Sequence, residues 1–574
     1  MSTIRVAALQ FATAATVEEN LHTCLRLIDR AAEAEAALMV LPEFSNHLSW
    51  YRDAHHAWAV AVEEGGEFLS AIAGRAARYR AHIVVNVSLR RARGGITVSS
   101  LLYGPEGTCL AVADKQTLMG HENIWFQRAQ QRTPVVPTAL GRLGLFPCRD
   151  GVTFETARML ALEGAQIFCD SLHSFALDEA TLHVPARAPE NRVFMVAANK
   201  VGPLIPEQDL PGVAAQSGIP ERFLYGAGGS QIVAPDGTVL ARAPGEGEAV
   251  VTADIDPSAA ADKRRADGTD LLASRRPGLY RALGAAQPRL VASDAPEALS
   301  VACVAPPAPG AAAREHLTPG TRLAVIPECW GMPEDIMAAL NSGTPYDREA
   351  VIAASSELVE RLRHFCQEKG ELKIVASLPW PLGEGLSLTA LLISAQGVEA
   401  RQPQLHPSHG SPWSRQGDEL QLADLEWGRV ALLVGNDSLY PELVKMAALD
   451  GAHLLAVPLG ATEPADTQLG LPSRAAENRL CVVASGREGH GGLIAGLEAE
   501  FTLMEHWPTR VFDGNINTPL LTRQRGEVTQ GCLNLRAAAN KVMSAQTDLL
   551  ADRPWRLCAP LWEDRGQEEI CDEL

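Results

Sequence analysis

The stretch PARAPENR at residues 185–192 returns as PSRAAENR at residues 472–479, and this repetition decides the fold of the chain. Pro472 lies 287 positions after Pro185, and 287 is half of the 574 residues. The same offset, without a gap, relates Gly141-Arg142 to Gly428-Arg429, Asp150 to Asp437 and Glu155 to Glu442. A single match of this kind could arise by chance, but a gapless run of matches does not. The sequence therefore indicates an internal duplication.

The boundaries of the two copies follow from the same comparison. VLPEF around Glu43 pairs with VIPEC around Glu328 at an offset of 285, so a two-residue loop change separates this motif from the others. An Ala/Pro-rich stretch at about 284–298 precedes LSVACVA, which resembles IRVAALQ near the N-terminus. We therefore predict a first domain at 1–287, a second domain at 288–557 and an acidic tail at 558–574.

The local pattern within each half predicts an α/β architecture. Short apolar runs such as IRVAAL, ALMVL and HIVVNV alternate with longer helical patterns such as VEENLHTCLRLIDRAAEAEA. The turn signals GPEG at 104–107 and PDG at 235–237 predict hairpins, so the sheets should be mixed rather than wholly parallel. We expect helices that cover one face of each of two paired sheets.

The composition excludes several classes of protein. With 46% hydrophobic and 21% charged residues, the chain is typical of a globular protein. The net charge of -19 argues against nucleic acid as the main partner. The N-terminus has no apolar leader and no stretch approaches a membrane span, so we expect a cytoplasmic protein without membrane contact. The eleven cysteines form no CxxC pair, which argues against a disulfide framework or a zinc site.

Three polar residues stand directly after apolar strand-like runs. Glu43 follows ALMVLP, Lys115 follows CLAVAD and Cys148 follows LGLFP. Taken singly, such residues are usually surface charges or buried filler. Strand ends are, however, where α/β folds place their sites, so the combination indicates chemistry.

A cysteine nucleophile needs a base and a positive neighbour, because a free thiol is mostly protonated at neutral pH. Glu43 is a candidate for the base. Lys115 is a candidate for stabilising the oxyanion of an attacked amide. A helix-like segment that begins near Thr153 makes backbone donors near Arg149 candidates for the same task.

These residues lie in motifs that together resemble the nitrilase, or carbon-nitrogen hydrolase, superfamily: LPEFS, DKQTLMGHE, FPCRDGVTFE and ARAPENRVFMVAANKVG. The resemblance continues through GGSQIVAPDGTVLA, VVTADID and RRPGLYRAL, and it covers essentially all of the first half. It implies an α-β-β-α sandwich in which Glu43 is general base and acid, Cys148 attacks and Lys115 supports the tetrahedral intermediate. Glu122, seven residues after the lysine, occupies the place of a second glutamate that orients the lysine and the substrate in many members.

The second half departs from this pattern at the chemical positions. By the offset of 287, Lys115 maps to Gln402, Glu122 to His409 and Cys148 to Gly435, and only Glu328 is kept. Glycine has no side chain, so it cannot form an acyl-enzyme. We expect an inactive copy that pairs with the first half as an intramolecular pseudo-dimer, and further homo-oligomerisation stays open.

Two alternatives for the second half carry less weight. A rearranged site with Ser438 or Asn436 as nucleophile has no base and orienting group nearby. His406 and His409 are too few for a metal site and are expected to be polar loop residues.

The substrate is indicated by Cys148-Arg149-Asp150. Within the resembled family, nitrile hydrolases usually have Trp-Glu after the nucleophile, whereas amidases and carbamoylases usually have aspartate two positions later. We therefore expect hydrolysis of a small amide or N-carbamoyl compound, with a true nitrilase as the alternative and a non-catalytic scaffold or regulatory pseudoenzyme as the alternative of another class.

The same region supplies candidate substrate-binding residues. Arg149 either pairs with Asp150 or holds a substrate carboxylate, and of the two we favour the pairing. His173 and Phe175 in DSLHSF follow another strand-like run and are expected to line the pocket. No cofactor or metal is implied, because the covalent mechanism supplies nucleophile, base and oxyanion support.

Overall fold

The computed structural model describes residues 3–305, 317–487 and 491–563, and it divides into two compact units. Unit 1 consists of Met1–Lys263, Glu500–Thr518 and Val542–Leu557, and unit 2 of Arg264–Ala499, Pro519–Lys541 and Cys558–Leu574. Each unit thus combines most of one sequence repeat with segments from the other. The predicted domains 1–287 and 288–557 follow the repeat and stay a prediction; residues 564–574 of the predicted tail lie outside the described part.

Unit 1 contains two sheets of six strands. The first is built from β1 (Ile4–Gln10), β2 (Leu38–Val40), β3 (His82–Arg90), β4 (Ile96–Tyr103), β5 (Cys109–Asp114) and β12 (Ala249–Ile255), in the order β12-β1-β2-β3-β4-β5. The second is built from β6 (Val136–Thr138), β7 (Gly141–Pro147), β8 (Ile167–Ser171), β9 (Phe194–Ala198), β10 (Gln231–Val233) and β11 (Val239–Arg242), in the order β11-β10-β9-β8-β7-β6. Both sheets are mixed, with parallel centres and antiparallel edges.

The alternation of side chains along β1 shows how the layers form. Val6 and Ala8 point into a core shared by both sheets, together with Leu145 of β7 and Val196 of β9. Ala7 and Leu9 point to the opposite face, where they pack against helices. The helices of unit 1 are α1 (Val17–Glu33), α2 (Ala54–Val60), α3 (Glu67–Tyr79), α4 (Glu122–Trp125), α5 (Arg149–Val152), α6 (Phe154–Leu162), α7 (Val184–Asn191) and α8 (Leu210–Ser217). A π-helical turn at Glu179–His183 leads into α7.

Unit 2 repeats this plan with two more six-stranded sheets. One is built from β13 (Leu299–Val304), β14 (Leu323–Val325), β15 (Lys373–Leu382), β16 (Gly385–Ser394), β17 (Gly397–Pro403) and β24 (Val528–Leu533), in the order β17-β16-β15-β14-β13-β24. The other is built in sequence order from β18 (Leu422–Leu425), β19 (Gly428–Leu432), β20 (Leu454–Pro458), β21 (Cys481–Ser485), β22 (Leu493–Gly496) and β23 (Leu520–Arg523). Its described helices are α9 (Glu334–Ser342), α10 (Arg348–Lys369), α11 (Pro441–Leu449) and α12 (Leu471–Asn478).

The segment 542–557 of unit 1 adds a small hairpin of β25 (Val542–Ser544) and β26 (Thr547–Asp548). The prediction of two tandem α-β-β-α sandwiches with mixed sheets is confirmed, and the turns at 104–107 and 235–237 join β4 to β5 and β10 to β11. No helix within the described residues is both long and apolar enough for a membrane crossing.

Candidate active site

The sheets of unit 1 bring the three predicted residues together at strand ends. Lys115 and Cys148 directly follow β5 and β7, and Glu43 follows β2 by three residues. Glu43 is 0% exposed and Lys115 is 1% exposed, so both charges lie out of water. Charged side chains are buried in this way only when they are paired or serve a site.

Lys115 joins two carboxylates in one cluster. Its Nζ donates to Oε1 of Glu43 at 2.8 Å and to Oε1 of Glu122 at 2.9 Å. The second oxygen of Glu122 accepts the backbone N–H of Met119 at 2.8 Å, which fixes this carboxylate at the start of α4. Burial disfavours the ammonium, but Glu122 and Glu43 outweigh it and hold the pKa of Lys115 well above its usual value. The lysine is therefore a permanent positive charge in the site.

Glu43 is prepared to accept a proton. Its Oε2 is buried and accepts no hydrogen bond from the described residues. Burial raises the pKa of Glu43 to about 7, even though the Lys115 ammonium acts in the opposite direction. A carboxyl group with a pKa close to neutrality is suited to both general base and general acid catalysis.

Cys148 occupies a strained turn between β7 and α5. Its backbone has φ of 44° and ψ of -101°, in a region that residues other than glycine rarely adopt. Burial and the nearby negative charge of Glu43 raise the pKa of the Cys148 thiol well above its usual value, although Lys115 acts to lower it. The resting thiol is thus protonated, and a nucleophilic thiolate requires transfer of its proton.

Two aspartates hold this turn by accepting backbone hydrogen bonds. Asp170 in β8 accepts the N–H of Cys148 at 3.0 Å. Asp150 accepts the N–H groups of Gln116 and Thr117, both at 2.8 Å, and so ties the turn of the nucleophile to the loop after Lys115. No hydrogen bond joins Asp150 to Arg149 among the described residues. Burial dominates the pKa of both groups, but the charge of each stabilises the other, so the favoured pairing of these two side chains stays a prediction.

The predicted substrate-binding residues Arg149, His173 and Phe175 all line one cavity of about 370 Å³ together with Cys148. The guanidinium of Arg149 is buried, and its Nε and Nη1 have no hydrogen-bond partner among the described residues. Burial holds the pKa of His173 well below its usual value, so this ring is neutral. Phe175 packs against Phe512, with ring centroids 5.8 Å apart.

The sequence-based prediction missed Glu179 and the part of the cavity that comes from the C-terminal segments of unit 1. Glu179 lines the cavity, and burial raises its pKa to about 8. A signal for the C-terminal part was available, since TDLL occurs at both 269–272 and 547–550. In unit 1 the Oγ1 of Thr547 accepts the N–H of Gly120 at 2.8 Å, and in unit 2 the Oγ1 of Thr269 accepts the N–H of His409 at 3.1 Å. The two copies have therefore exchanged equivalent segments.

These contacts correct the correspondence between the copies. In unit 1 the N–H of Lys115 donates to Val98, and in unit 2 the N–H of Gln404 donates to Leu388 in the equivalent strand. The counterpart of Lys115 is therefore Gln404 and not Gln402, because the offset is 289 at this loop. By the same offset the counterpart of Glu122 is Ser411 and not His409, and the Oγ of Ser411 donates to Oε1 of Gln404 at 3.1 Å.

Unit 2 has a glycine at the position of Cys148. Gly435 corresponds to Cys148, since Asp437 accepts the N–H groups of Leu405 and His406 just as Asp150 does in unit 1. His406 lies in a loop, as expected, but it is fully buried between Asp437 and the hydroxyl of Tyr280.

The alternative nucleophiles of unit 2 gain no support from their surroundings. The hydroxyl of Ser438 donates to the carbonyl of Gly435 at 2.7 Å. The Nδ2 of Asn436 is buried without a hydrogen-bond partner in the described residues. Neither side chain has a base in hydrogen-bond contact within the described parts of the chain.

Comparison with known proteins finds similar proteins that are named as nitrilases and amidases. A nitrilase of Pyrococcus abyssi is 27% identical over 267 residues, which are 46% of this chain and 93% of that protein. An omega-amidase of Xenopus tropicalis is 27% identical over 45% of this chain and 90% of its own length. An N-carbamoylputrescine amidase of Solanum tuberosum is 26% identical over 49% of this chain and 94% of its own length.

Solved structures of an amidase from Nesterenkonia sp. AN1 are also similar. One of them has a TM-score of 0.39 and 23% identity, and the match covers 49% of this chain and 97% of that one. The model of the carbon-nitrogen hydrolase family matches residues 5–265 and again residues 282–507. Since these two regions make up most of the sequence, the chain belongs to the carbon-nitrogen hydrolase family and carries the family's domain twice.

Proposed function

We propose that unit 1 hydrolyses the carbon-nitrogen bond of a small amide or N-carbamoyl compound through a thioester on Cys148. The observation that carries the proposal is the buried cluster in which Lys115 binds both Glu43 and Glu122 beside a cysteine in a strained turn. An ammonium held between two carboxylates in the interior is costly to build, and it stabilises negative charge that develops next to it.

In the first step, Glu43 takes the proton of the Cys148 thiol while the sulfur attacks the carbonyl carbon of the amide. The oxygen becomes an oxyanion, which Lys115 and the backbone N–H at the start of α5 stabilise. Protonated Glu43 then gives its proton to the leaving nitrogen, the carbon-nitrogen bond breaks, and ammonia or an amine departs. The pKa of Glu43 near 7 supports both proton transfers.

In the second step, water replaces the amine. Glu43, again a carboxylate, takes a proton from this water as its oxygen attacks the thioester carbon. The carbon-sulfur bond breaks, the Cys148 sulfur regains a proton, and the carboxylic acid is released. An N-carbamoyl substrate follows the same two steps, and the carbamic acid that is released decomposes to carbon dioxide and ammonia.

We propose that Arg149, His173 and Phe175 bind the substrate. The Nε and Nη1 of Arg149, which have no hydrogen-bond partner among the described residues, support the second of its two roles, since buried N–H donors gain free energy when they meet an acceptor such as a substrate carboxylate or carbonyl. His173 offers a neutral ring and Phe175 an aromatic face.

Two other functions remain as alternatives. A true nitrilase would use the same nucleophile on a nitrile. The sequence Arg149-Asp150 after Cys148 argues against this activity. A non-catalytic scaffold or regulatory pseudoenzyme would have little reason to keep Glu43, Lys115 and Glu122 in contact. Ammonia release from amides and nitriles, measured side by side, distinguishes the three.

The test of the proposed function is Cys148→Ser. We expect its turnover of a responsive amide to fall by at least about 10³-fold, because the hydroxyl is a far weaker nucleophile. Cys109→Ser is the matched control, since Cys109 is exposed and lies outside the cavity. An acyl adduct at Cys148 in mass spectrometry supports the mechanism. A Cys148→Ser variant with wild-type turnover contradicts it, and the absence of both adduct and ammonia favours the scaffold.

The expected pairing of the two halves as an intramolecular pseudo-dimer is likewise a proposal. The exchange of segments between the two units supports it, since neither sequence half contains a whole unit. Residues 1–287 expressed alone should be unstable or inactive. A soluble, monomeric and fully active fragment would contradict the pairing. The cytoplasmic location stays a prediction.

A further inference from the structure

The cavity at Cys148 has a wall that comes from the second half of the sequence. Trp50, Phe175 and Leu224 line it from the first half, and Leu503, Met504, Ile516, Met543 and Ala545 line it from the C-terminal segments of unit 1. We call these five C-terminal residues the second-half wall. Their side chains are all apolar, whereas Ser544 and Gln546 line the cavity from the same C-terminal region. The wall therefore offers an apolar surface with few polar partners for a strongly hydrated group.

The first segment of the wall is fixed by backbone hydrogen bonds. The carboxylate of Asp178, which is 1% exposed, accepts the N–H groups of Ile516 at 3.0 Å and Asn517 at 2.6 Å. The N–H of Leu177 donates to the carbonyl of Gly514 at 2.8 Å. Because Asp178 directly precedes Glu179 of the cavity, Ile516 is held in register with the site.

The second segment is fixed to the loop that carries Glu122. The Oγ1 of Thr547 accepts the N–H of Gly120 at 2.8 Å and donates to the carbonyl of Leu118 at 3.2 Å. The N–H of Leu503 donates to the carbonyl of Met543 at 2.8 Å and so joins the two segments. The wall is therefore a built part of unit 1 and not a loose covering.

We infer that the second-half wall binds the acyl group of the substrate, and that this group is an aliphatic or aromatic chain of intermediate length. This inference rests on the proposed function and deepens it. The leaving group of a primary amide is only ammonia, so the acyl group is the part that needs an apolar cavity. The degenerate copy thus supplies the specificity of the intact one.

The experiment compares kcat/KM for acetamide, butyramide, hexanamide and benzamide. We expect kcat/KM to rise about fourfold for each methylene that the wall buries. Ala545 is exposed while it lines the cavity, so Ala545→Phe adds bulk without disturbing a core. It should lower kcat/KM for hexanamide at least tenfold more than it lowers kcat/KM for acetamide. Met504→Ala, at a side chain that is 47% exposed, should instead raise the ratio of benzamide to acetamide.

The matched control is Val511→Phe, since Val511 lies in the same C-terminal region but is 75% exposed and outside the cavity. Binding of the same amides to Cys148→Ala, measured by calorimetry, separates the contribution of the wall to substrate affinity from its effect on the chemical step. If the wild type turns over none of the amides, the proposed function fails, whereas tighter binding of hexanamide than acetamide still supports the wall. Ratios of hexanamide and benzamide to acetamide that stay unchanged in both wall variants overturn the inference.

Discussion

The turn of Cys148 in unit 1 and the turn of Gly435 in unit 2 are held by equivalent hydrogen bonds, but their backbone dihedral angles differ. Asp150 and Asp437 each accept two backbone N–H groups from the loop after the neighbouring strand, at 2.7–2.9 Å. Cys148 has φ of 44°, whereas Gly435 has φ of -49° and ψ of -49°, an ordinary helical conformation. Backbone strain of this kind costs about 1–3 kcal/mol. The strain is thus present at the cysteine, which is the proposed nucleophile, and absent at the glycine.

The charges differ in the same way. Unit 1 holds an ammonium between two carboxylates, whereas unit 2 has the neutral pair Gln404 and Ser411 at the same places. Glu328 survives, and burial still raises its pKa to about 7 although the nearby Arg487 lowers it. The aspartates are common to both units and so belong to the framework, whereas the lysine cluster occurs in unit 1 alone, as the proposed chemistry requires.

The largest expected effect comes from replacing Lys115 of unit 1 by glutamine, the residue at the equivalent position of unit 2. Lys115→Gln removes the charge that supports the oxyanion, and we expect kcat/KM for a responsive amide to fall by about 10²–10³-fold or more. Gln404→Met, at the counterpart position, should leave kcat/KM unchanged. Steady-state kinetics of both variants would refute the division of roles if the two losses were similar.

A second expectation concerns pH. Glu43 accepts the thiol proton only as a carboxylate, and its pKa is raised to about 7, so the active form is lost as pH falls below this value. We expect kcat/KM to decrease about tenfold per pH unit below about 7 and to be level just above it. Glu328→Gln is the control, because the pKa of Glu328 is also raised to about 7, but unit 2 has glycine at the position of Cys148. If the midpoint near pH 7 disappeared in Glu328→Gln, the titrating group would lie in unit 2, which contradicts the assignment to Glu43.

The sequence was sufficient to bring Glu43, Lys115 and Cys148 together, because each follows a strand with a strong apolar pattern and lies in a specific motif. Their catalytic role stays a proposal. The sequence was insufficient for the loops between those motifs. A constant offset placed the counterpart of Lys115 at Gln402, but insertions before this loop move it to Gln404. It was also insufficient for the second-half wall, since local pattern does not tell which unit a C-terminal segment packs into. Asp178, which fixes Ile516 from a position hundreds of residues away, shows that this choice is made by long-range hydrogen bonds.

The smallest expected effect is a shift in stability without a gain of function. A Cβ at Gly435 would lie 2.9 Å from the backbone nitrogen of Gly460 and 3.3 Å from the Cα of Leu459, so Gly435→Cys must displace main chain. We expect a loss of about 1–3 kcal/mol in the free energy of unfolding, measured by denaturant titration. Gly278→Cys is the matched control, since nothing lies within 4 Å of its Cβ.

The same variant tests whether the second site is lost only through its nucleophile. In a Cys148→Ala background, Gly435→Cys should restore no turnover, because Gln404 and Ser411 provide no positive charge and the turn lacks the strained conformation of Cys148. Measurable ammonia release from the double variant would mean that the framework of unit 2 still presents a usable site. Inactivity with unchanged stability would mean that the close approach of Gly460 is relieved at no cost, and that the missing lysine and the relaxed turn together keep this copy inactive.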